Sequence, residues 1–277
     1  MDNLLSDVLN NVQFTIVYNM LSLGIASMLF TAIFLWVARD RVLPKYRMAV
    51  MVSATVTSIA AYHYFRMFDS FNEAYGGMHD ETSGVPAAVQ AFAHYNVGYR
   101  YIDWFLTVPL LLVELVAVLG LAKALQSSLL KRLVPAAALM IALGYPGDAK
   151  LNILGIEGTG FASEAAVWGL LSTIPFLYIM YVLWFELKKS LASQSDKVRG
   201  LFQTLRVLLI ATWGVYPITF ILAMNTDLPS ASDVVNREVG YTIADILAKC
   251  LFGLIIFSIA RIKSAEEDKS HASQEGH

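Results

Sequence analysis

The sequence predicts an all-α membrane protein, a bundle of seven transmembrane helices with its amino terminus outside and its carboxyl terminus in the cytoplasm. Three observations predict it. Of 277 residues, 57% are hydrophobic and only 15% charged, against about 25% charged in a soluble domain, and mean hydropathy is +0.56. Seven apolar stretches are each long enough to cross a bilayer, which takes roughly 20 residues. The basic residues crowd into one set of connections.

The stretches run over about 13–38, 47–68, 98–121, 130–147, 164–187, 201–224 and 234–262. Together they use most of the chain, so residues 1–262 form one helical domain with no room for a second. The opening MDNLLSDVLNN is acidic and lacks the basic start of a secretory signal, so the first run is expected to be retained as a helix. The connection from about 69 to 96 is the longest. Its stretch VPAAVQAFAHY suits a short hairpin or a helical turn equally. The tail 263–277, KSAEEDKSHASQEGH, is polar and reads as disordered. Cys250 has no partner for an internal disulfide and reads as a small packing residue. The net charge of −2 says little; neither a nucleic-acid partner nor a metal is expected.

Charge placement sets the topology. One set of connections carries Arg39, Arg41, Lys45, Arg47, Lys123, Lys131, Arg132, Lys188, Lys189, Lys197, Arg199, Arg206, Arg261, Lys263 and Lys269. The other set carries Arg66, Lys150 and Arg237. The positive-inside rule puts the first set in the cytoplasm.

Two basic residues, Arg100 and Lys249, fall inside spans. Lys249 lies in the apolar run AKCLFGLIIFSIA, one helical turn after Asp245. An ammonium at the bilayer centre costs roughly 3 kcal/mol on lenient scales, so such a lysine is a functional-site hypothesis by default. One use of it is condensation with an aldehyde in a dry pocket.

The third span reads YRYIDWFLTVPLLLVEL. Arg100, Asp103, Thr107 and Glu114 lie at intervals of 3, 4 and 7 and share one face. Glu114 is about 16 Å inward of Asp103 along the axis. The face reads as a proton path with two stations, or as an Arg100–Asp103 salt bridge with a snorkelling glutamate. His63, near the outer end of the second span, has a depth similar to that of Asp103. It is either a packing residue or a partner that stabilises the ionised aspartate. In the sixth span, TWGVYPITF puts Trp213 and Tyr216 on one face, with a kink from Pro217. That face is core packing or a flat slot for a conjugated ligand.

Together these residues resemble the microbial rhodopsins. RYIDWFLTVPLLLVE is similar to the third-helix signature of the proteorhodopsins, and GYTIADILAK to their retinal-lysine segment. AAYHYFR, GYPGD, WGLLSTIPFLYIMYVLW and WGVYPI look most like the xanthorhodopsin branch. The likeness runs from about Gln13 to Ile262.

The resemblance implies a light-driven outward proton pump of the bacterial inner membrane, not an enzyme, with all-trans retinal on Lys249 as a protonated Schiff base. It implies Asp103 as primary counterion and proton acceptor, Asp245 as second counterion and Glu114 as proton donor, protonated at the start. Thr107 takes the middle of the family's functional motif, Arg100 orders the charge beneath the counterions, and His63 pairs with the acceptor. Tyr101, Trp104, Leu111, Met140, Gly144, Ser172, Trp213, Tyr216 and Pro217 fall where the family lines its retinal pocket, and Leu111 matches the green-absorbing type. Gly169 stands where a bulky aromatic would close the retinal ring from lipid. It implies a window for a hydroxylated carotenoid antenna, the alternative being a helix-packing glycine. A homo-oligomer, pentamer or hexamer, is implied within the membrane lipids. No match to an outer pair of release glutamates is found, since Arg237 and Glu238 occupy that region. The competing reading is a sensory rhodopsin photoreceptor.

Overall fold

The computed structural model describes residues 8–76, 87–187, 191–192, 194–224 and 230–275. Ten helical segments are used below: α1 (Asn11–Ala38), α2 (Pro44–Tyr75), α3 (Ala87–His94), α4 (Gly98–Val118), α5 (Lys123–Asp148), α6 (Glu164–Tyr181), α7 (Asp196–Trp213), α8 (Val215–Met224), α9 (Ala231–Asp245) and α10 (Phe252–Glu275). Seven helices among the described residues are long and apolar enough to cross a membrane: α1, α2, α4, α5, α6, α7 with α8, and α9 with α10.

Local sequence explains where each begins and ends. Asn10 and Gln13 form a reciprocal cap on α1, and Ser230 with Asp233 does the same for α9. Ser163 and Ser195 cap α6 and α7. Pro44 opens α2, where its missing N–H costs nothing. After α4 the chain turns at Gly120, whose φ of +62° suits glycine. Several helices start before their apolar stretches, by seven residues in α5, because their first turns are polar and carry little hydropathy signal.

Each spanning helix packs on its neighbours in a closed ring: α1 on α2, α2 on α4, α4 on α5, α5 on α6, α6 on α8, and the last span on α1, α2 and α7. Large apolar side chains such as Phe30, Val37, Leu170 and Ile174 face outward, towards lipid, while Arg100, Asp103, Glu114, Asp245 and Lys249 are buried inside. This is the arrangement of a multi-pass membrane protein.

One open alternative is settled and two expectations change. The described part of the VPAAVQAFAHY stretch settles that alternative as a helix: Ala87–His94 forms α3, with Ala91 and the following Tyr95 both buried. Residues 77–86 of that connection lie outside the described residues. The seventh span does not stop at 262: α10 runs on to Glu275, so the tail is helical rather than disordered as far as it is described. Lys263 and Ser264 are buried there, and Glu267 accepts a hydrogen bond from Tyr46. Polar composition concealed this because packing on neighbouring helices, not hydropathy, holds that segment. Finally, Arg206 belongs to no loop. It is buried in α7 and donates to the Trp184 carbonyl at 2.7 Å. Residues Val182–Glu186 form a π-helical turn at the end of α6, which supplies that carbonyl.

The sixth span divides at Gly214, between α7 and α8, three residues before Pro217. Proline lacks the N–H that would bond back one turn, so the break is where its sequence position requires. Cys250 is buried, with its Sγ 3.3 Å from Met28 Sδ, as a packing residue would be.

Candidate functional site

The segment joining α9 to α10 is itself a π-helical turn, Ile246–Leu251, and it contains Lys249. The extra residue in that turn changes how Lys249 is aimed relative to Asp245. Lys249 is 2% exposed, and Asp103 and Asp245 are wholly buried. Lys249 Nζ donates to Asp103 Oδ2 at 2.6 Å and to Asp245 Oδ1 at 2.8 Å. One cation is therefore held by two carboxylates from different helices, in a region where an unpaired charge would be costly.

The two carboxylates differ in their surroundings. Asp245 Oδ1 also accepts from Tyr216 Oη at 2.7 Å and from Trp104 Nε1 at 3.3 Å. Its Oδ2 accepts from Tyr64 Oη at 2.8 Å and lies 3.7 Å from Arg100 Nη1. Gly24 of α1 makes this possible, since a Cβ there would collide with the Tyr64 ring. Asp103, by contrast, leaves Oδ1 buried and without a hydrogen-bond partner.

Arg100 does not pair with Asp103. Its Nη2 donates to Glu238 Oε2 at 2.6 Å. Glu238 is 1% exposed and also accepts from Tyr95 Oη at 2.9 Å and Arg237 Nε at 3.3 Å. Thr107 donates to the Asp103 backbone carbonyl, not to its carboxylate. His63 is buried, but its Nδ1 has no hydrogen-bond partner. The structure thus shows no His63–Asp103 hydrogen bond; Asp103 Oδ2 is taken by Lys249 instead.

Glu114 lies on the same face of α4, further along. It is wholly buried and accepts from Ser53 Oγ, while its Oε1 has no partner.

Lys249 and Asp245 line a cavity of about 450 Å³. All nine expected pocket residues line it: Tyr101, Trp104, Leu111, Met140, Gly144, Ser172, Trp213, Tyr216 and Pro217. Trp213 and Tyr216 line it from either side of the division between α7 and α8, and Ser172 is fixed by a bond to the Met140 carbonyl at 2.7 Å. Phe176, Phe220, Tyr241 and Ala248 also line it and were not anticipated. Gly169 borders the same cavity, and a Cβ there would lie 2.6 Å from the Phe220 ring. Phe220 therefore packs into the hollow that the glycine leaves. A mostly apolar space with aromatic lining and a buried amine among its walls fits a conjugated aldehyde.

Glu238 and its donors Tyr95 and Arg237 were also missed as site residues. Glu238 lies seven residues, about two helical turns, before Asp245, and that spacing was the available signal.

A family model described as bacteriorhodopsin-like protein matches residues 15–263. The chain is 32% identical over 236 residues to a green-light absorbing proteorhodopsin of Gamma-proteobacterium EBAC31A08, covering 85% of this chain and 82% of that protein. Among solved structures, it is similar to xanthorhodopsin, described as a light-driven ion pump with dual chromophore, at 43% identity and TM-score 0.81, covering 94% of this chain and 98% of that one. It is also similar to a thermophilic rhodopsin, at 40% identity and TM-score 0.80, covering 94% and 98%.

Proposed function

We propose, from the premise that this chain belongs to the bacteriorhodopsin-like family, that it moves protons outward across the membrane under light. The coarser identity is plain: it is a retinal-binding, light-driven ion pump of the bacterial plasma membrane and not an enzyme. Proton specificity, direction and an antenna are the added claims.

Retinal, when bound, supplies the absorption of light and a change of shape at the nitrogen of Lys249. The chain's own residues do the rest. Asp103 and Asp245 hold that nitrogen's positive charge between them. Asp103 is the proton acceptor, because its buried Oδ1 has no hydrogen-bond partner to lose, whereas protonating Asp245 would disrupt bonds from Tyr216, Trp104 and Tyr64. This asymmetry between the two carboxylates is the observation that carries the proposal.

Glu114 is the donor on the cytoplasmic side, as the family likeness suggests; it is buried and Ser53 holds its carboxyl in place. Apolar Leu111 and Leu112 lie between the two stations and keep water from short-circuiting them. Arg100, anchored by Glu238, presents fixed positive charge beneath the counterions and marks the outer side. Net transfer runs from the Glu114 end to the Arg100 end. His63 supports the acceptor through its buried position rather than a bond in the resting state. Gly169 supports an antenna: a carotenoid ring would enter over it once Phe220 yields its hollow. The working unit is a homo-oligomer of five or six copies, as the family likeness suggests.

The test is external pH in an illuminated suspension of cells supplied with retinal. Acidification is expected, abolished by a protonophore and by Asp103→Asn. Alkalinisation that a protonophore enhances would show transport of another ion and refute the proposal.

A further inference from the structure

Four segments meet at one buried amine, at the end of the bundle away from Arg100. Lys263 of α10 is 8% exposed. Its Nζ donates to the Leu119 carbonyl at 2.7 Å and to Gln194 Oε1 at 2.8 Å. Gln194 Nε2 reaches the same carbonyl at 3.4 Å. Leu119 follows the last residue of α4, where carbonyls lack partners within the helix. Gly120 follows in the left-handed region, with φ +62°, and turns the chain directly beside Lys263 Nζ and the Tyr46 ring.

The next turn of α10 adds two ties to the start of α2. Ser264 Oγ accepts from the Leu43 amide at 2.9 Å, and Glu267 accepts from Tyr46 Oη at 2.6 Å while pairing with Lys45. The end of α4, the start of α2, the segment before α7 and α10 are thus tied together at one level.

Glu114 lies five residues before Leu119, about 7.5 Å deeper along the same helix. Between them, Leu115, Val116 and Val118 of α4 pack in one buried apolar cluster with Phe202 of α7 and Ile256 and Ile259 of α10. A proton cannot reach Glu114 through that layer while it is closed. The hydrogen-bonded amine of Lys263 is a tie between the helices that would have to separate.

We infer that Lys263 and Gln194 form a latch over Glu114, and that refilling of Glu114 with a proton waits on the parting of their contacts with Leu119. This rests on the pumping proposal above. Lys263 acts through the backbone of α4 and is a positioning residue.

The test uses the full chain with retinal, in lipid nanodiscs, as wild type, Lys263→Met, Lys263→Arg and Gln194→Leu. Flash-induced proton uptake is followed with an indicator dye. Separately, exchange of the Glu114 carboxyl proton in heavy water is followed in the dark by infrared, with and without retinal, and assigned by Glu114→Gln. Loss of the charge-assisted contacts of Lys263 should speed uptake about tenfold in Lys263→Met, with faster dark exchange and an unmoved visible band. Gln194→Leu should act in the same direction, and Lys263→Arg should stay near wild type. A lower melting temperature with unchanged uptake and exchange would make Lys263 only a helix cap and overturn the latch. Gln194→Leu decides if Lys263→Met does not fold. Wild type without any proton uptake would defeat the pumping proposal and the latch with it. Normal wild-type uptake with unaltered variants would defeat the latch alone.

Discussion

Arg100 passes by Asp103, one helical turn away on α4, and bonds to Glu238 on α9, Nη2 to Oε2 at 2.6 Å. A buried guanidinium left without that carboxylate is expensive. Glu238→Gln is expected to destabilise the folded bundle by about 3 kcal/mol and to lower its thermal midpoint in detergent, with Tyr95→Phe giving a smaller loss. A midpoint unchanged by Glu238→Gln would show that Arg100 does not depend on this anchor.

Tyr95 ties the same cluster to the segment ahead of α4. Its burial, and then the Glu238 carboxylate, push its phenol above the ordinary tyrosine range. A raised folded value means that this stabilisation is present at and below the ordinary tyrosine pKa and is lost as pH rises above it. Alkaline titration of the folded protein should therefore show the same phenolate absorbance in wild type and Tyr95→Phe until the bundle unfolds. An earlier tyrosine step that Tyr95→Phe removes would contradict this.

The charged third-span face was legible because 3, 4 and 7 are helical intervals, and four ionisable or polar groups on one face of a membrane helix are rare. Lys249 and Asp245 were legible for the same reason. Their actual partners were less so. Asp245 is held by Tyr64 and Tyr216 from other helices, and Arg100 by Glu238, because bonds between helices depend on rotation and depth that one sequence does not specify. The π-helical turn at Lys249 leaves no compositional trace. Lys263 was read as tail because its neighbours are polar, yet it is the packing of α10 on α2 and α4 that buries it.

Glu114→Gln keeps the shape and the Ser53 contact but removes the transferable proton. Its expected effect is a slowing by about two orders of magnitude of the step that returns a proton to Lys249, with the dark absorption band little moved. Added azide, a small proton carrier, should restore the rate. Normal kinetics in this variant would remove Glu114 from the path.

Gly169→Trp would drive an indole into the space that Phe220 occupies. It should abolish any excitation band that added hydroxylated carotenoid gives in retinal fluorescence, whereas Phe220→Ala should strengthen that band. If wild type shows no such band, or if Gly169→Trp retains it, the glycine serves helix packing alone.

Everything in the site converges on the Lys249 amine, so the most direct measurement asks whether it carries the chromophore. Apoprotein is mixed with all-trans retinal, reduced with borohydride under bright light, and digested. The account predicts a visible band before reduction and a retinyl adduct on the peptide containing Lys249, with both lost in Lys249→Ala. A band that survives Lys249→Ala, or no band in wild type, would contradict it.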